Sequence, residues 1–342
     1  MHKIFFLVFF ISINVSADYK DYIYKDRSYS INTFGQTGLI QTPSAEVRSE
    51  GSVHLTLNRN DIWKIVTLSV APFDWLEASY FYYRPSDLIW SDGDGKAGHD
   101  LDKGFNIKAS HSFKKYNLPI LAIGIDDIGG TGYFRREYLA STFVHDSFKL
   151  TLGLGWGKYN QGHGFKNPLN VFSDHFSNRN NQSLSPYGGS LAYRSWFTGD
   201  ASVFGGIEWF VPYARGLKLK IENDPFNYFD LSAGQRKDAS YDLRKSDSDI
   251  NVGLSMPIKN YGFLDLSFIK GNTFNLTFTI GATFNEKLVK KQDKEPIIYK
   301  SQTIDSQPES FYDNLLFNLN NNQLLLQTAS LKKSEHTELD IA

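Results

Sequence analysis

"TFNLTFTIGATF", Thr273 to Phe284, sets Phe274, Leu276, Phe278, Ile280, Ala282 and Phe284 on one side of an extended chain. It sets Thr273, Asn275, Thr277, Thr279, Gly281 and Thr283 on the other. A period of two with one apolar side is the pattern of a β-strand, and the medium that the apolar side meets decides the kind of protein. In a soluble sandwich that side meets a second sheet, and in an outer-membrane barrel it meets lipid.

The pattern recurs from Gly51 to Phe284, with no sustained 3.6-residue period. "GSVHLTLN" sets Val53, Leu55 and Leu57 against His54, Thr56 and Asn58. "SFKLTLGLGWGK" sets Phe148, Leu150, Leu152, Leu154 and Trp156 against Lys149, Thr151, Gly153, Gly155 and Gly157. "GLKLKIE" sets Leu217, Leu219 and Ile221 against Lys218, Lys220 and Glu222. Further strands are expected near 62–71, 75–84, 105–113, 120–126, 133–144, 187–197, 201–211, 250–256 and 261–269. The fold class is therefore all-β, an antiparallel transmembrane β-barrel of about 12–14 strands with a short mixed helical C-terminal tail.

The connections are unequal. "HDS", "FTGD" and "KGN" are tight, whereas 85–103, 159–186 and 223–249 are long and polar. Short turns on one rim and long loops on the other mark outer-membrane barrels. The expected strands put the third long loop on the wrong rim unless one strand is missed or miscounted, and 227–233 is the place expected for a missing one.

The ends are different in kind. His2 and Lys3 precede an apolar run, Ile4 to Val15, that closes on Val15-Ser16-Ala17, which reads as a signal peptide over 1–17. A lead-in segment, 18–50, then precedes the barrel at 51–285. Residues 286–309 are charged and without period, a linker. Residues 310–342 read as a partial periplasmic α/β segment: Ser310 as N-cap, a helix with Phe311, Leu315, Leu316 and Leu319, and one strand.

Composition narrows the function. With no cysteine there is no disulfide, no thiolate catalysis and no lipid on cysteine. The net charge of −1 becomes −2 when Lys3 is removed (−1 − 1), which gives no electrostatic ground for nucleic acid. The aromatic fraction, 15% with 27 Phe and 19 Tyr, suits interfacial girdles, and a large all-β core would also use it.

Five stretches carry a family likeness. "GQTGLIQTPSA" (35–45), "DDIGGTGYFRREYLA" (126–140), "LGLGWGK" (152–158), "GGIEWFVPYARGLKLKIEND" (205–224) and "FIKGNTFNLTFTIGATFN" (268–285) resemble, in order, the YjbH family of exopolysaccharide and capsule export proteins. The resemblance implies an outer-membrane barrel working with periplasmic and lipoprotein partners. It also implies a chain about twice this long, of which this one resembles the amino-terminal half.

Chemistry-bearing clusters are few. Asp92, Asp94, His99 and Asp100 could suggest calcium, but an EF-type loop needs a bidentate Glu where Lys103 stands. His163, Asp174 and His175 show no compact ligand pair. His111 sits beside Ser110 and Ser112, and neighbours on a strand face opposite ways. "IGGTG" lacks the helix and the Lys-Ser/Thr pair of a phosphate cradle. No catalytic, cofactor or metal residue is therefore expected.

Charges facing hydrocarbon are costly, so Lys218, Lys220 and Glu222, with Arg194 and Glu208 on neighbouring strands, are expected to line a water-filled lumen. Glu137, beside Arg135, joins them. They can pair with one another or contact hydroxyl-rich or acidic sugars; the solvent face of a soluble sheet would present similar rows. The expected function is a non-enzymatic barrel assisting export or assembly of an exopolysaccharide or capsule, in contact with outer-membrane lipid. A porin-like or adhesive surface protein is the alternative, and a membrane-embedded hydrolase the third.

Overall fold

The computed structural model describes residues 29–86, 89–91, 94, 97–99, 101–113, 118–130, 132, 134–145, 147–160, 164–179, 191–212, 214, 216–226, 246–258, 262–284, 308–322, 329–332 and 338–341. The expected signal peptide and most of the expected linker lie outside these residues. The chain divides into two units, residues 1–289 and 290–342.

The first unit is a closed, twelve-stranded antiparallel barrel. Its strands are β1 (Ser52–Asn60), β2 (Trp63–Phe73), β3 (Leu76–Pro85), β6 (Asp102–His111), β7 (Ile120–Ile128), β8 (Arg136–His145), β9 (Phe148–Gly157), β10 (Ser202–Phe210), β11 (Lys218–Asn223), β12 (Ile250–Ile258), β13 (Gly262–Ile269) and β14 (Thr273–Thr283). A small hairpin, β4 (Ile89–Ser91) with β5 (Ala97–His99), lies between β3 and β6. Each strand pairs with its barrel neighbour in sequence, and β1 closes on β14 from Ser52↔Thr283 to Asn60↔Asn275. The seam is fastened from inside, Thr56 to Thr279 at 3.1 Å and Asn58 to Asn275 and Thr277 at 2.8 Å.

The opening stretch resolves as expected for lipid: Phe274, Leu276 and Ile280 are exposed on the outer wall, and Thr273, Asn275, Thr277 and Thr279 are buried within. The same holds for Leu55 and Leu57, Val66 and Leu68, and Phe148, Leu150 and Leu152. Placing a charge on this wall should be expensive. Leu152→Arg, at the middle of β9 and 54% exposed, is expected to cost about 2–4 kcal/mol. Reversible unfolding from lipid vesicles in denaturant measures it, and a near-zero cost would mean that the wall does not face hydrocarbon.

The strand expected at 187–197 does not form among its described residues. Residues 191–197 form a 3₁₀ turn at Tyr193–Ser195 instead. Ser195 Oγ donates to the Ala192 carbonyl and Thr198 Oγ1 to that of Ser195, both at 2.7 Å. Such local bonds compete with a ladder, and positive φ at Phe197 and Gly199 ends any extended run. Removing this strand also cures the loop parity: the long connections after β3, β9 and β11 now leave one rim. The turns after β2, β8 and β12, with the entry to β1 and the exit from β14, share the other. The proposed missing strand at 227–233 lies outside the described residues.

The second unit holds α1 (Pro308–Asn321) and a hairpin, β15 (Ala329–Lys332) with β16 (Glu338–Ile341). Pro308 suits the first helical turn, so Ser310 lies inside the helix rather than at its cap. A strand pair stands where one strand was expected.

Candidate functional site: the lumen and its N-terminal plug

Residues 30–45 carry no charge and much Thr, Gln, Asn and Ser, yet all are buried, because they fold inside the barrel. The segment doubles back on itself through bridges Ile31↔Thr37 and Gly38↔Pro43. Asn32 Oδ1 accepts from the amides of Phe34 and Gln36 at 3.0 Å, an Asx-type turn that Gly35 completes at φ 76°. A Cβ on Gly35 would lie 2.6 Å from Thr67 of β2.

Buried amides and carbonyls need partners, and the inward charges of the wall supply them. The Glu222 carboxylate accepts from the amides of Ile40, Gln41 and Thr42 at 2.9, 2.7 and 3.2 Å, and from Thr42 Oγ1 at 2.8 Å. Lys220 Nζ donates to the Leu39 carbonyl at 3.0 Å while pairing with Asp265 at 2.8 Å. Lys218 Nζ donates to Tyr29 O and Ser30 Oγ, and Ser30 Oγ in turn donates to Glu208. On the opposite wall Glu77 accepts from the amide and hydroxyl of Thr37 and pairs with Arg48 and Lys108. Lys108 Nζ reaches the carbonyls of Thr37 and Ser44 at 3.0 and 3.3 Å, and Lys149 pairs with Glu46 at 2.9 Å. Cations thus meet carbonyls and carboxylates meet amides.

The tip of the plug lies toward the rim of the long loops. Phe34 packs edge-on against Phe134 at 5.3 Å and Phe226 at 6.4 Å, and near Trp63. The Arg136 guanidinium sits 4.3 Å over the Phe34 ring and 4.8 Å over that of Tyr159, while donating to Asp126 at 2.7 and 3.0 Å. Gln36 donates to the same carboxylate. Burial pushes the Tyr159 phenol well above its ordinary pKa, so it faces Arg136 uncharged.

Among the described residues the lumen is filled by side chains and is not the water-filled space expected of it. Inward Gly124 makes room for Tyr138, Gly153 for Phe204 and Gly155 for Tyr159; a Cβ at Gly124 or Gly153 would lie 2.2 Å from the facing ring. Between plug and wall, a cavity of about 10 Å³ beside Leu39, Ile40, Lys220 and Asp265 holds at most one water.

Of the six candidate lumen residues, Glu208, Lys218, Lys220 and Glu222 are brought together on β10 and β11, buried and inward. Glu137 is not among them. Arg136, Tyr138, Ala140 and Thr142 share the inner face, so Glu137 points outward with Leu139, under the loop that follows β9. There it takes a bidentate pair from Arg179 at 2.8 and 2.9 Å and the Phe197 amide at 3.3 Å, so that Arg179 is its bonded cation. Arg194 is exposed on the 3₁₀ turn, because the strand expected to carry it does not form. Missed from sequence were Glu77, Lys108 and Asp126, each placed inward by the parity of its own strand.

Among the described residues no three His, Asp or Glu converge as a metal site. The calcium-like loop and His163 fall largely outside them, and Asp174 and His175 are exposed. Ser110 donates to the Ala45 carbonyl while His111 is exposed against Phe113, so the two do not meet.

The family described as exopolysaccharide biosynthesis protein YbjH matches residues 30–341, starting within the plug. The uncharacterized lipoprotein YjbH of Escherichia coli (strain K12) is 34% identical over 279 residues, 81% of this chain and 38% of that protein. The chain thus spans well under half of that relative's length. Among solved structures, the KdgM porin in complex with disordered oligogalacturonate is 12% identical over 68% of this chain and 99% of that chain, with a TM-score of 0.35. The NanC porin is 7% identical over 68% and 98%, with a TM-score of 0.31.

Proposed function

The chain belongs to the YjbH family of exopolysaccharide biosynthesis proteins, and from that premise we propose that it is a non-enzymatic outer-membrane barrel that assists export or assembly of an exopolysaccharide. It acts as a membrane-seated element of the machinery, working with periplasmic or lipoprotein components, and the glycan does not thread this lumen. The observation that carries this reading is the plug: the inward charges that could have guided a sugar are engaged by residues 30–46. The same observation counts against a porin-like role, which needs an aqueous interior.

Locking the plug tests it. The Ala45 amide donates to Thr142 Oγ1 at 2.8 Å, and the chain has no cysteine of its own. Ala45→Cys with Thr142→Cys would therefore tether plug to wall by one defined disulfide. In cells lacking the native gene, the oxidised variant is expected to restore surface polysaccharide as fully as the wild type. Export that stops on oxidation and returns on reduction would make the lumen the path.

A further inference from the structure

The outward side chains at the long-loop rim are not uniform. Arg59 lies directly opposite Lys64, and Lys64 directly opposite Arg84. Lys103, on the next strand, pairs in register with Tyr82, two residues below Arg84. All four are exposed, on β1, β2, β3 and β6, and none forms an ion pair among the described residues. Asp61, on the turn joining β1 and β2, does not pair with them either. At the same rim β10 to β14 present Val203, Asn223, Ile250, Phe268 and Phe274, with no cation among these described strand positions.

Like charges directly opposite on adjacent strands are destabilising, and strands lie only about 4.8 Å apart. Three such residues in one row, with a fourth beside them, therefore have an unmet need for negative charge. Immediately below, on the lipid wall, the register continues as Leu57↔Val66 and Val66↔Tyr82, then Tyr80↔Phe105, all exposed. The quarter is amphipathic along the membrane normal: guanidinium and ammonium groups on top, an apolar band beneath. Arginine pairs bidentately with phosphate, and lysine adds point charge. Long loops mark this rim as the outer one.

We propose that Arg59, Lys64, Arg84 and Lys103 form a binding site for the phosphorylated headgroup of an outer-leaflet glycolipid, whose acyl chains cross the apolar band Leu57, Val66, Tyr82 and Phe105 below it. The site is on the outside of the barrel and is independent of what the lumen does.

The test uses the full chain in phospholipid nanodiscs, with bisphosphorylated lipid A as the probe and bound lipid counted by native mass spectrometry. Wild type is expected to retain the probe. Arg59→Gln, Lys64→Gln, Arg84→Gln and Lys103→Gln together should weaken retention at least tenfold, and so should enzymatic removal of the phosphates from the probe. All four side chains point outward, away from the plug and from the inner side-chain bonds that fasten the seam, so the variant should keep the heat-dependent gel shift of a closed barrel. If it does not, the pair Arg59→Gln and Lys64→Gln is read in its place. Retention unchanged by either set, or by dephosphorylation, overturns the proposal. So does retention of an acidic oligosaccharide through this row with no retention of lipid A.

Discussion

Replacing Glu222 with alanine is expected to unseat the plug. One carboxylate accepts three consecutive backbone amides, the Thr42 hydroxyl and the Asn251 side-chain amide. Truncation would strand all five donors in a buried space. Each unmet buried donor costs about 1–3 kcal/mol, and with entering water and non-additivity the sum should be on the order of 4 kcal/mol against the seated state. Leu39→Cys, buried in the plug, reports it in a chain otherwise free of thiols. A membrane-impermeant maleimide should scarcely label this cysteine alone, and should label it at least tenfold faster once Glu222→Ala is added. Glu222→Gln should fall between, since the amide oxygen still accepts but without charge. Equal protection in all three would mean that the plug is held by its apolar contacts and not by this carboxylate.

The second large effect is expected at the tip. Arg136 and Asp126 are cross-strand partners, both buried, and Arg136 also covers the Phe34 ring. Removing one member of a buried pair leaves an uncompensated charge, so Arg136→Met should cost about 3–5 kcal/mol in denaturant unfolding from lipid. Adding Asp126→Asn should recover much of that loss, because the stranded charge goes with it, whereas a lost packing contact would not be restored. A double variant as unstable as Arg136→Met alone would place the effect in the Phe34, Tyr159 and Phe226 rings.

The strands were legible because lipid enforces alternation more strictly than a soluble core does. Every outward position on β14 from Phe274 to Ile280 had to be apolar, and their parity left Asn275 and Thr277 no face but the inner one. The plug left no such mark. Its partners lie on β3, β6, β10 and β11, far along the chain, and uncharged polar residues without a period look like a loop. Glu137 was misplaced by a register of one: Arg135, Arg136 and Glu137 are adjacent charges, and only the outward Leu139 two places on assigns the faces. The strand expected at 187–197 was apolar enough to qualify, but among the described residues Ser195 within it and Thr198 just after it bond local carbonyls instead.

The plug enters and leaves by one rim: Ser30 meets Lys218 at the start of β11, and Ser49 accepts from Ser52 at the start of β1. It is a hairpin dipped into the barrel and not a strand threaded through it, so no ladder need open for it to seat. Ile40 and its carboxylate partner are 182 positions apart, and contacts of such separation form late. During folding, Glu77 of β3 and Lys108 of β6 can meet Thr37 early, whereas the amides of Ile40, Gln41 and Thr42 must wait for β11. Until β11 closes over them those three amides have only water to bond, so the β11 side of the lumen is the last to dry.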